Sequence, residues 1–170
     1  MNIKLLGAIL ILVASGGFGV KIVMAHLHEE RTLQQLIRLL DYMSCELQYR
    51  LTPLPELCRQ VAAEGHGILS TVFLHLASEL EDQITPDVYR CMLATLEKIK
   101  PIPTRTRGEL ELLGRSLGRF DLQGQIKGLD AVRVSCRQEL ENLNQNKDNR
   151  LRGYQTLALC AGAALVILFI

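Results

Sequence analysis

The stretch LQQLIRLLDYMSCELQYRL, residues 33–51, decides the fold class of this 170-residue chain. Its apolar residues recur at steps of three and four, which places them on one face of an α-helix. They are Leu33, Leu36, Ile37, Leu40, Met43, Leu47 and Leu51. The spacing predicts an amphipathic helix from about residue 29 to residue 51. Because such a helix is stabilised mainly by packing its apolar face on other helices, and no strand-like alternation occurs, the chain is predicted to be all-α.

A longer apolar run precedes this helix. Residues 5–20 read LLGAILILVASGGFGV without a charge, and the apolar character resumes after Lys21. A spanning helix needs about 20 mostly apolar residues. We therefore predict a transmembrane helix at residues 1–26 that continues into the amphipathic helix. A cleaved signal peptide is the alternative, although Lys21 falls where the apolar core of a signal should still be running.

The C-terminal residues form a second uncharged run. Residues 157–170 read LALCAGAALVILFI, and counted from Gly153 the run reaches 18 residues, near the lower limit for spanning. A buried helix of a soluble core is the alternative, but such a helix normally keeps a polar face. We predict a second transmembrane helix at residues 154–170. The basic residues that flank the central domain, residues 27–153, place that domain in the cytoplasm by the positive-inside rule.

Proline and glycine divide the central domain into short helices. Thr52 is predicted to cap a helix that has Pro53 at its first position and ends before Gly65. A second helix is predicted at residues 67–83. The pair Thr85-Pro86 repeats the capping pattern and predicts a third helix that extends to about residue 100.

The last part of the central domain is predicted to hold one short helix, at residues 104–117, and one long helix that Asp121 caps. The apolar residues of the long helix follow alternating steps of four and three, as in a heptad seam. They are Leu122, Ile126, Leu129, Cys136, Leu140 and Leu143, with Arg133 in the missing place. This helix is predicted to continue into the C-terminal apolar run. The first and last helices would then stand side by side, with the short helices packed between them or at their tips.

The charge balance and the aromatic content argue against nucleic-acid binding. The 19 basic and 18 acidic residues leave a formal net charge of +1, and aromatic residues make up 5% without tryptophan. Phosphate binding requires a concentrated basic face, and base recognition uses aromatic platforms. No nucleic-acid partner is therefore expected.

The cysteines and histidines predict no metal site. The five cysteines are widely spaced and form no C-x-x-C pair, which favours reduced, mostly buried thiols over a zinc site or a disulfide framework. His26 and His28 would point about 200° apart on a helix, whereas a helical zinc pair needs the i, i+4 spacing. His66 and His75 stand alone and are predicted to be loop or surface residues.

The carboxylates form no recognisable catalytic pattern either. Glu109, Glu111 and Asp121 are predicted to lie on a helix surface or at a cap. The chain is therefore predicted to be non-enzymatic, with no cofactor and no metal. A membrane enzyme such as a lipid hydrolase is the alternative, and it would need a nucleophile and a base that converge in a pocket.

Three segments resemble the stage III sporulation protein AB family of endospore-forming bacteria. The first is the apolar N-terminus with a leucine-rich helix that ends in ELQYRLTPLPE, residues 46–56. The second and most specific is LLGRSLGRFD, residues 112–121, followed by Gln125. The third is the long helix that runs into an apolar C-terminal end. Together they cover nearly the whole chain, although family members more often carry glycine where this chain has Arg50.

The resemblance singles out one group of residues as a docking or structural motif. They are Thr52, Pro53, Leu54, Leu113, Gly114, Leu117, Gly118, Asp121 and Gln125. Unusual turn residues on a rigid bundle suit recognition, so the turn from Leu113 to Asp121 is a predicted docking point. The alternative is a structural role, with close helix packing at Gly114 and capping by Asp121.

The resemblance also implies a function. The protein would be a non-enzymatic platform in the mother-cell membrane facing the forespore, within the channel that links the two compartments, and similar to type II secretion platform proteins. The expected partners are a secretion-type ATPase, other channel membrane proteins and membrane lipid, with self-association left open. The alternative is a helical membrane adaptor or sensor that oligomerises through the heptad-like seam.

Overall fold

The computed structural model describes the backbone of residues 3–82, 87–118 and 121–169. It describes the side chains of residue 24 and of residues 27–82, 87–118 and 121–145. Within these ranges the chain forms six helices and no strand, so the all-α prediction is confirmed. The helices are α1 Ile3–Arg50, α2 Leu54–Glu64, α3 Ile68–Glu81, α4 Val88–Lys98, α5 Thr104–Ser116 and α6 Leu122–Phe169.

The two long helices, α1 and α6, pair side by side and run in opposite directions. Arg133 of α6 donates from Nη1 to Asp41 Oδ1 of α1 at 2.6 Å, which marks the level at which the helices face each other. Helices α2 and α3 form one hairpin, and α4 and α5 form another. Helix α5 contacts both α1 and α6, so it lies along the groove between the long helices.

The core is built from leucine, valine and sulfur-containing residues of all six helices. The predicted apolar face of α1 is buried or partly buried from Leu33 to Leu47, with Leu33, Leu36 and Met43 fully covered, whereas its last predicted member, Leu51, lies beyond the helix and is exposed. Phe73 of α3 is the largest fully buried side chain. Because burying each such side chain stabilises the fold by about 1.5–3 kcal/mol, these contacts hold the short helices against the long pair.

Two helix starts were predicted at Thr-Pro pairs. Helix α2 begins at Leu54, and Pro53 rather than Thr52 occupies its N-cap position. The Thr52 hydroxyl donates to Glu46 Oε2 at 3.4 Å instead, so the predicted cap was wrong by one residue. The pair Thr85-Pro86 lies outside the described residues; α4 begins at Val88, where the side chain of Asp87 accepts from the Tyr89 N–H.

The heptad-like seam of α6 also differs from the prediction at one place. Val132 is fully buried, whereas Arg133 is only half-buried and pairs with Asp41 and Asp130. The steps of three and four accommodate either residue, and the apolar one faces the core because burying an unpaired guanidinium is costly. Leu129, Cys136 and Leu143 are buried as predicted.

Both long helices are continuous through the predicted domain boundaries, as the sequence indicated. The predicted transmembrane segments, residues 1–26 and 154–170, fall almost entirely on residues whose side chains lie outside the described set. Within the part of the chain that is described, no helix combines the length and the apolar character needed to cross a membrane. The two anchors therefore stay predictions.

Leu51 ends α1 in the left-handed backbone region, with a φ of 52°, next to Arg50. This conformation costs a residue with a Cβ about 1–2 kcal/mol, and only part of that is recovered because glycine has more freedom in the unfolded chain. Leu51 is 67% exposed, so little burial is lost on its removal. We expect Leu51→Gly to raise the free energy of unfolding by about 0.5–1 kcal/mol, measured by urea unfolding of the full chain in detergent micelles. Leu51→Ala keeps the Cβ and should show no such gain; equal gains in both variants would contradict the strain.

Candidate functional site: the turn end and a buried polar junction

The structure brings the two predicted motif segments to the same end of the α1–α6 pair. From the level of the Asp41–Arg133 ion pair, α1 continues nine residues to Arg50 and α6 reaches back eleven residues to Leu122. At 1.5 Å per residue these lengths are about 14 Å and 17 Å in the same direction. The α1–α2 turn, residues 51–53, and the described residues of the α5–α6 turn, Leu117, Gly118 and Asp121, thus lie at the same end. We call them the turn end.

Close packing of α5 on α4 shapes the first part of the α5–α6 turn. Leu113 and Leu117 are fully buried. A Cβ built on Gly114 would lie 2.8 Å from Met92 Cβ and 3.5 Å from Tyr89 Cα. Only a glycine lets the two helices approach this closely, so Gly114 has the structural role that the sequence offered as the alternative to docking.

Position 118, where the α4–α5 pair ends, requires glycine for two independent reasons. Its φ of +75° lies in the left-handed region, which residues with a Cβ rarely adopt. A Cβ at this position would also lie 2.4 Å from Val88 Cγ2. The chain at Gly118 is therefore fixed by a backbone conformation and a close contact that both require glycine.

Asp121 is the N-cap of α6, as its position before the helix predicted. Its Oδ1 accepts the Gly124 N–H at 3.0 Å, and its backbone carbonyl accepts the Gln125 N–H at 2.9 Å. The residue is exposed, so its carboxylate is accessible to solvent. Asp121 can therefore cap α6 and present a negative charge at the turn end.

The α1–α2 turn presents apolar groups at this end. Leu54 packs partly on the core, while Pro53 is exposed. Tyr49 and Leu51 are 77% and 67% exposed, unusual values for large apolar side chains on a small bundle. Tyr49 was not predicted as a functional residue, and Leu51 was predicted to lie on the apolar face of the first helix. That prediction was wrong for Leu51, because α1 ends at Arg50 and Leu51 turns away from the bundle.

The nine predicted motif residues thus divide into two groups. Leu113, Gly114 and Leu117 are buried and set the shape of the turn end. The other six are exposed or half-buried and can contact a partner. These are Thr52, Pro53, Leu54, Gly118, Asp121 and Gln125.

A buried polar junction lies farther along α5, where sequence reasoning predicted only surface. Glu109 is 6% exposed, so the prediction of a surface carboxylate was wrong. Its Oε1 accepts the Ser135 hydroxyl at 2.8 Å, and its Oε2 lies 3.7 Å from the Cys136 thiol, which donates to it. Both donors come from α6, so the carboxylate binds α5 to α6 at this level.

A second set of contacts extends the junction to α1. Helix α5 has no side-chain cap of its own. The Glu29 carboxylate of α1 instead accepts the Arg105 N–H at 3.1 Å, which satisfies one of the free donors of the helix start and places negative charge at the positive end of the helix dipole. The Arg105 guanidinium donates to Glu139 of α6 at 2.6 Å. Arg105 therefore ties the start of α5 to both long helices.

Burial dominates the electrostatics of the junction. Desolvation raises the pKa of Glu109 above its ordinary value of 4.5, hydrogen bonds from Ser135 and Cys136 oppose the rise, and the charge of Glu139 adds to it. Burial, with the nearby Glu109 carboxylate, raises the pKa of Cys136 to about 12. Burial raises the pKa of Cys58 to about 12 as well. These thiols are poor nucleophiles at neutral pH, because reactivity requires the thiolate.

The described residues show no metal-binding group. Across the described ranges, no three side chains of histidine, cysteine, aspartate or glutamate come together to bind an ion. His66 and His75 are exposed, as predicted. The polar contacts among the described residues form a structural junction and cap the helix at the turn end.

Comparisons with known proteins match nearly the whole chain. The family model described as stage III sporulation protein AB matches residues 4–170. The stage III sporulation protein AB of Bacillus subtilis strain 168 is 25% identical over 169 residues, which cover 98% of each chain. A solved structure of a stage III sporulation protein AB superposes with a TM-score of 0.61 at 21% identity, covering 72% of this chain and 98% of that chain. The structural match extends the similarity from sequence to the helical fold.

Proposed function

The chain belongs to the stage III sporulation protein AB family, and from this premise we propose that it is a non-enzymatic platform of the sporulation channel complex. In this proposal the two apolar ends anchor it in the mother-cell membrane that faces the forespore. The central domain lies in the cytoplasm and docks a secretion-type ATPase. Other membrane proteins of the channel surround it.

The turn end carries the proposal. The motif segments at residues 46–56 and 112–121 are far apart in sequence, yet both reach the same end of the α1–α6 pair. The helix termini that carry the apolar runs extend in the opposite direction. A platform needs this arrangement, because a docking surface for a cytoplasmic ATPase must face away from the membrane.

Helix α5 is suited to connect docking with the membrane side. It runs 13 residues, about 20 Å, from the junction at Arg105 to the turn end at Gly118. At one end it is fixed to both long helices, and at the other its close contact with α4 sets the turn. A shift of the turn when the ATPase binds would therefore displace α5. This displacement would strain the polar contacts by which α5 is connected to α1 and α6.

A change of charge at Asp121 tests the docking surface. Asparagine caps helices as well as aspartate does, so Asp121→Asn should leave the stability within about 0.5 kcal/mol. We expect it to weaken binding of the ATPase to the full chain in lipid nanodiscs by about three- to tenfold, since it removes a charge from the contact. Biolayer interferometry would measure the dissociation constant.

Glu97→Gln provides the matched control. Glu97 is an exposed carboxylate near the C-terminal end of α4, whereas the N-terminal end of α4, at Val88, contacts Gly118. Its replacement by glutamine changes the net charge by the same amount as Asp121→Asn and leaves the turn end unaltered. We expect unchanged ATPase binding. Equal affinities of wild type, Asp121→Asn and Glu97→Gln would place the docking surface elsewhere.

A further inference from the structure

The α4–α5 loop, residues 99–103, lies at the end of the bundle opposite to the turn end. Helices α4 and α5 run in opposite directions, because Val88 at the start of α4 lies against Gly118 at the far end of α5. At the other end of the pair, Arg107 Nη1 donates to the Leu96 carbonyl at 3.3 Å. The loop therefore closes the end of the hairpin at which α5 begins.

Apolar side chains hold this loop in place and leave one charge outside. Ile99 is buried, and Ile102 packs against the core. Lys100 and Pro101 are exposed. Since the two isoleucines fix the backbone on either side of Lys100, the ammonium group extends from a positioned loop at the end of the bundle.

Lys100 differs in its charge partners from the lysine that precedes it by two residues. The Lys98 ammonium pairs with the Glu79 carboxylate of α3. Among the described residues, no carboxylate forms an ion pair with Lys100. Its charge is therefore available to an anion outside the bundle.

The start of α5 fixes the level of the loop along α1. The Arg105 N–H donates to Glu29 Oε1 of α1 at 3.1 Å. Glu29 lies nine residues after Val20, the last residue of the first uncharged run, which is about 14 Å along the helix. Side chains of a helix tilt toward its N-terminus, so the Glu29 carboxylate and the loop next to it lie nearer still to that run.

The second apolar run begins at the same level. Asp41 of α1 pairs with Arg133 of α6. Val20 lies 21 residues before Asp41, and Tyr154, where the second predicted anchor begins, lies 21 residues after Arg133. Because the two helices run in opposite directions, both distances are about 32 Å in the same direction. The two predicted anchors would therefore enter a bilayer at one common level.

The dimensions of a bilayer bring the loop into reach of its surface. The hydrocarbon core is about 30 Å thick, and the headgroups bring the total to about 40–45 Å, so each headgroup layer adds about 5–8 Å. With the hydrocarbon edge at Val20, the loop would lie less than about 14 Å from that edge. An extended lysine side chain spans about 6 Å and directs its ammonium toward headgroups, which covers the remaining gap.

We propose that the α4–α5 loop rests on the membrane surface and that Lys100 binds the phosphate of an anionic phospholipid. This inference rests on the membrane anchoring in the proposed function. An ammonium binds phosphate oxygens through charge-assisted hydrogen bonds. The contact would fix the start of α5 relative to the bilayer, at the point where Arg105 connects it to both long helices.

The test uses the full chain in nanodiscs of phosphatidylcholine and phosphatidylglycerol. A fluorescent coumarin amino acid replaces Thr104, the exposed first residue of α5. One lipid at a time carries a nitroxide near the top of its acyl chain, and the ratio of the two quenching efficiencies gives the local enrichment of the anionic lipid. We expect strong quenching at position 104 and about fivefold enrichment of phosphatidylglycerol. The same probe at position 51, about 33 Å beyond Glu29 along the chain, should not be quenched.

Variants of the lysine identify the group that selects the lipid. Lys100→Gln is expected to lower the enrichment about three- to fivefold, whereas Lys100→Arg keeps the charge and should retain it. Arg90→Gln is the matched control. It removes the same charge from an exposed residue near the start of α4, where the arginine pairs with Asp87 at 3.7 Å, and it should leave the enrichment unchanged.

Four results would overturn the proposal. Absence of quenching at position 104, in a chain that co-elutes with the nanodiscs, would show that the loop lies away from the membrane. Equal quenching by the two labelled lipids would show contact without headgroup selection, and equal losses in Lys100→Gln and Arg90→Gln would show an effect of net charge alone. A chain that does not co-elute with nanodiscs would overturn the anchoring as well. The ATPase-binding measurement at Asp121 is separate, so either proposal can fail alone.

Discussion

Gly118→Ala is expected to lower the free energy of unfolding by about 2–5 kcal/mol. Two costs add at this position. The left-handed backbone, with φ +75°, costs a residue with a Cβ about 1–2 kcal/mol. The new methyl group would also lie 2.4 Å from Val88 Cγ2, and overpacking of this kind costs about 1–3 kcal/mol. Urea unfolding of the full chain in detergent micelles, followed by circular dichroism, measures the change.

Two further variants separate these costs. Gly67 has a similar φ of +63°, but a Cβ there would meet nothing within 4 Å, so Gly67→Ala should cost only about 1 kcal/mol. Val88→Ala removes the atom that the new methyl group would strike. Gly118→Ala should therefore cost only about 1 kcal/mol in the Val88→Ala background, a coupling of about 1–3 kcal/mol. Purely additive effects would show that α4 and the turn do not meet closely.

The polar junction predicts the second large effect. Ser135→Ala removes one of two donors to the buried Glu109 carboxylate, and hydrogen bonds to charged groups contribute about 1.5–3 kcal/mol. We expect Ser135→Ala to lower the free energy of unfolding by about 2 kcal/mol at pH 7.5. Ser116→Ala is the control, because among the described residues its hydroxyl bonds only the Leu112 carbonyl of the same helix, and its loss should cost under about 0.5 kcal/mol. Equal costs at the two positions would contradict the junction.

The pH dependence of Glu109→Gln tests the same junction by another route. Burial raises the folded pKa of Glu109 above its ordinary value of 4.5, so the folded state favours the protonated carboxyl. Its ionisation destabilises the fold increasingly as the pH rises from about 4.5 through the raised pKa. Glutamine cannot ionise, so the stability of Glu109→Gln relative to wild type should rise over this window and then level off. Parallel stability curves for the two proteins would mean that Glu109 is solvated.

Local chemistry explains which features were predictable. The apolar period of α1 marks its buried face because the pattern is set by the helix itself. The cap at Asp121 depends on the backbone of the next three residues alone. The predicted end of the short helix, residue 117, lies one residue beyond its observed end at Ser116, whereas the contact of Gly118 with Val88 comes from another helix.

Tertiary contacts explain what was missed. Glu109 precedes Leu110 and lies four residues before Leu113, so the helical period alone places it toward the core. Its hydrogen-bond donors, Ser135 and Cys136, lie on another helix and could not be predicted from local spacing. Val132 and not Arg133 occupies the predicted seam position, because the apolar side chain faces the core. Arg133 instead pairs with Asp41 of α1. The meeting of the two motif segments likewise follows from the antiparallel α1–α6 pair, which local spacing does not specify.

Site-specific photo-crosslinking tests the platform account most directly. A benzophenone amino acid replaces Leu51 at the turn end or Leu74 on α3, two leucines that are both more than half exposed. The full chain is then reconstituted in membranes with the ATPase and irradiated. If the ATPase docks at the turn end, we expect a crosslink to the ATPase from position 51 and none from position 74. A crosslink from position 74 alone, or from neither position while the ATPase remains bound, would contradict docking at the turn end.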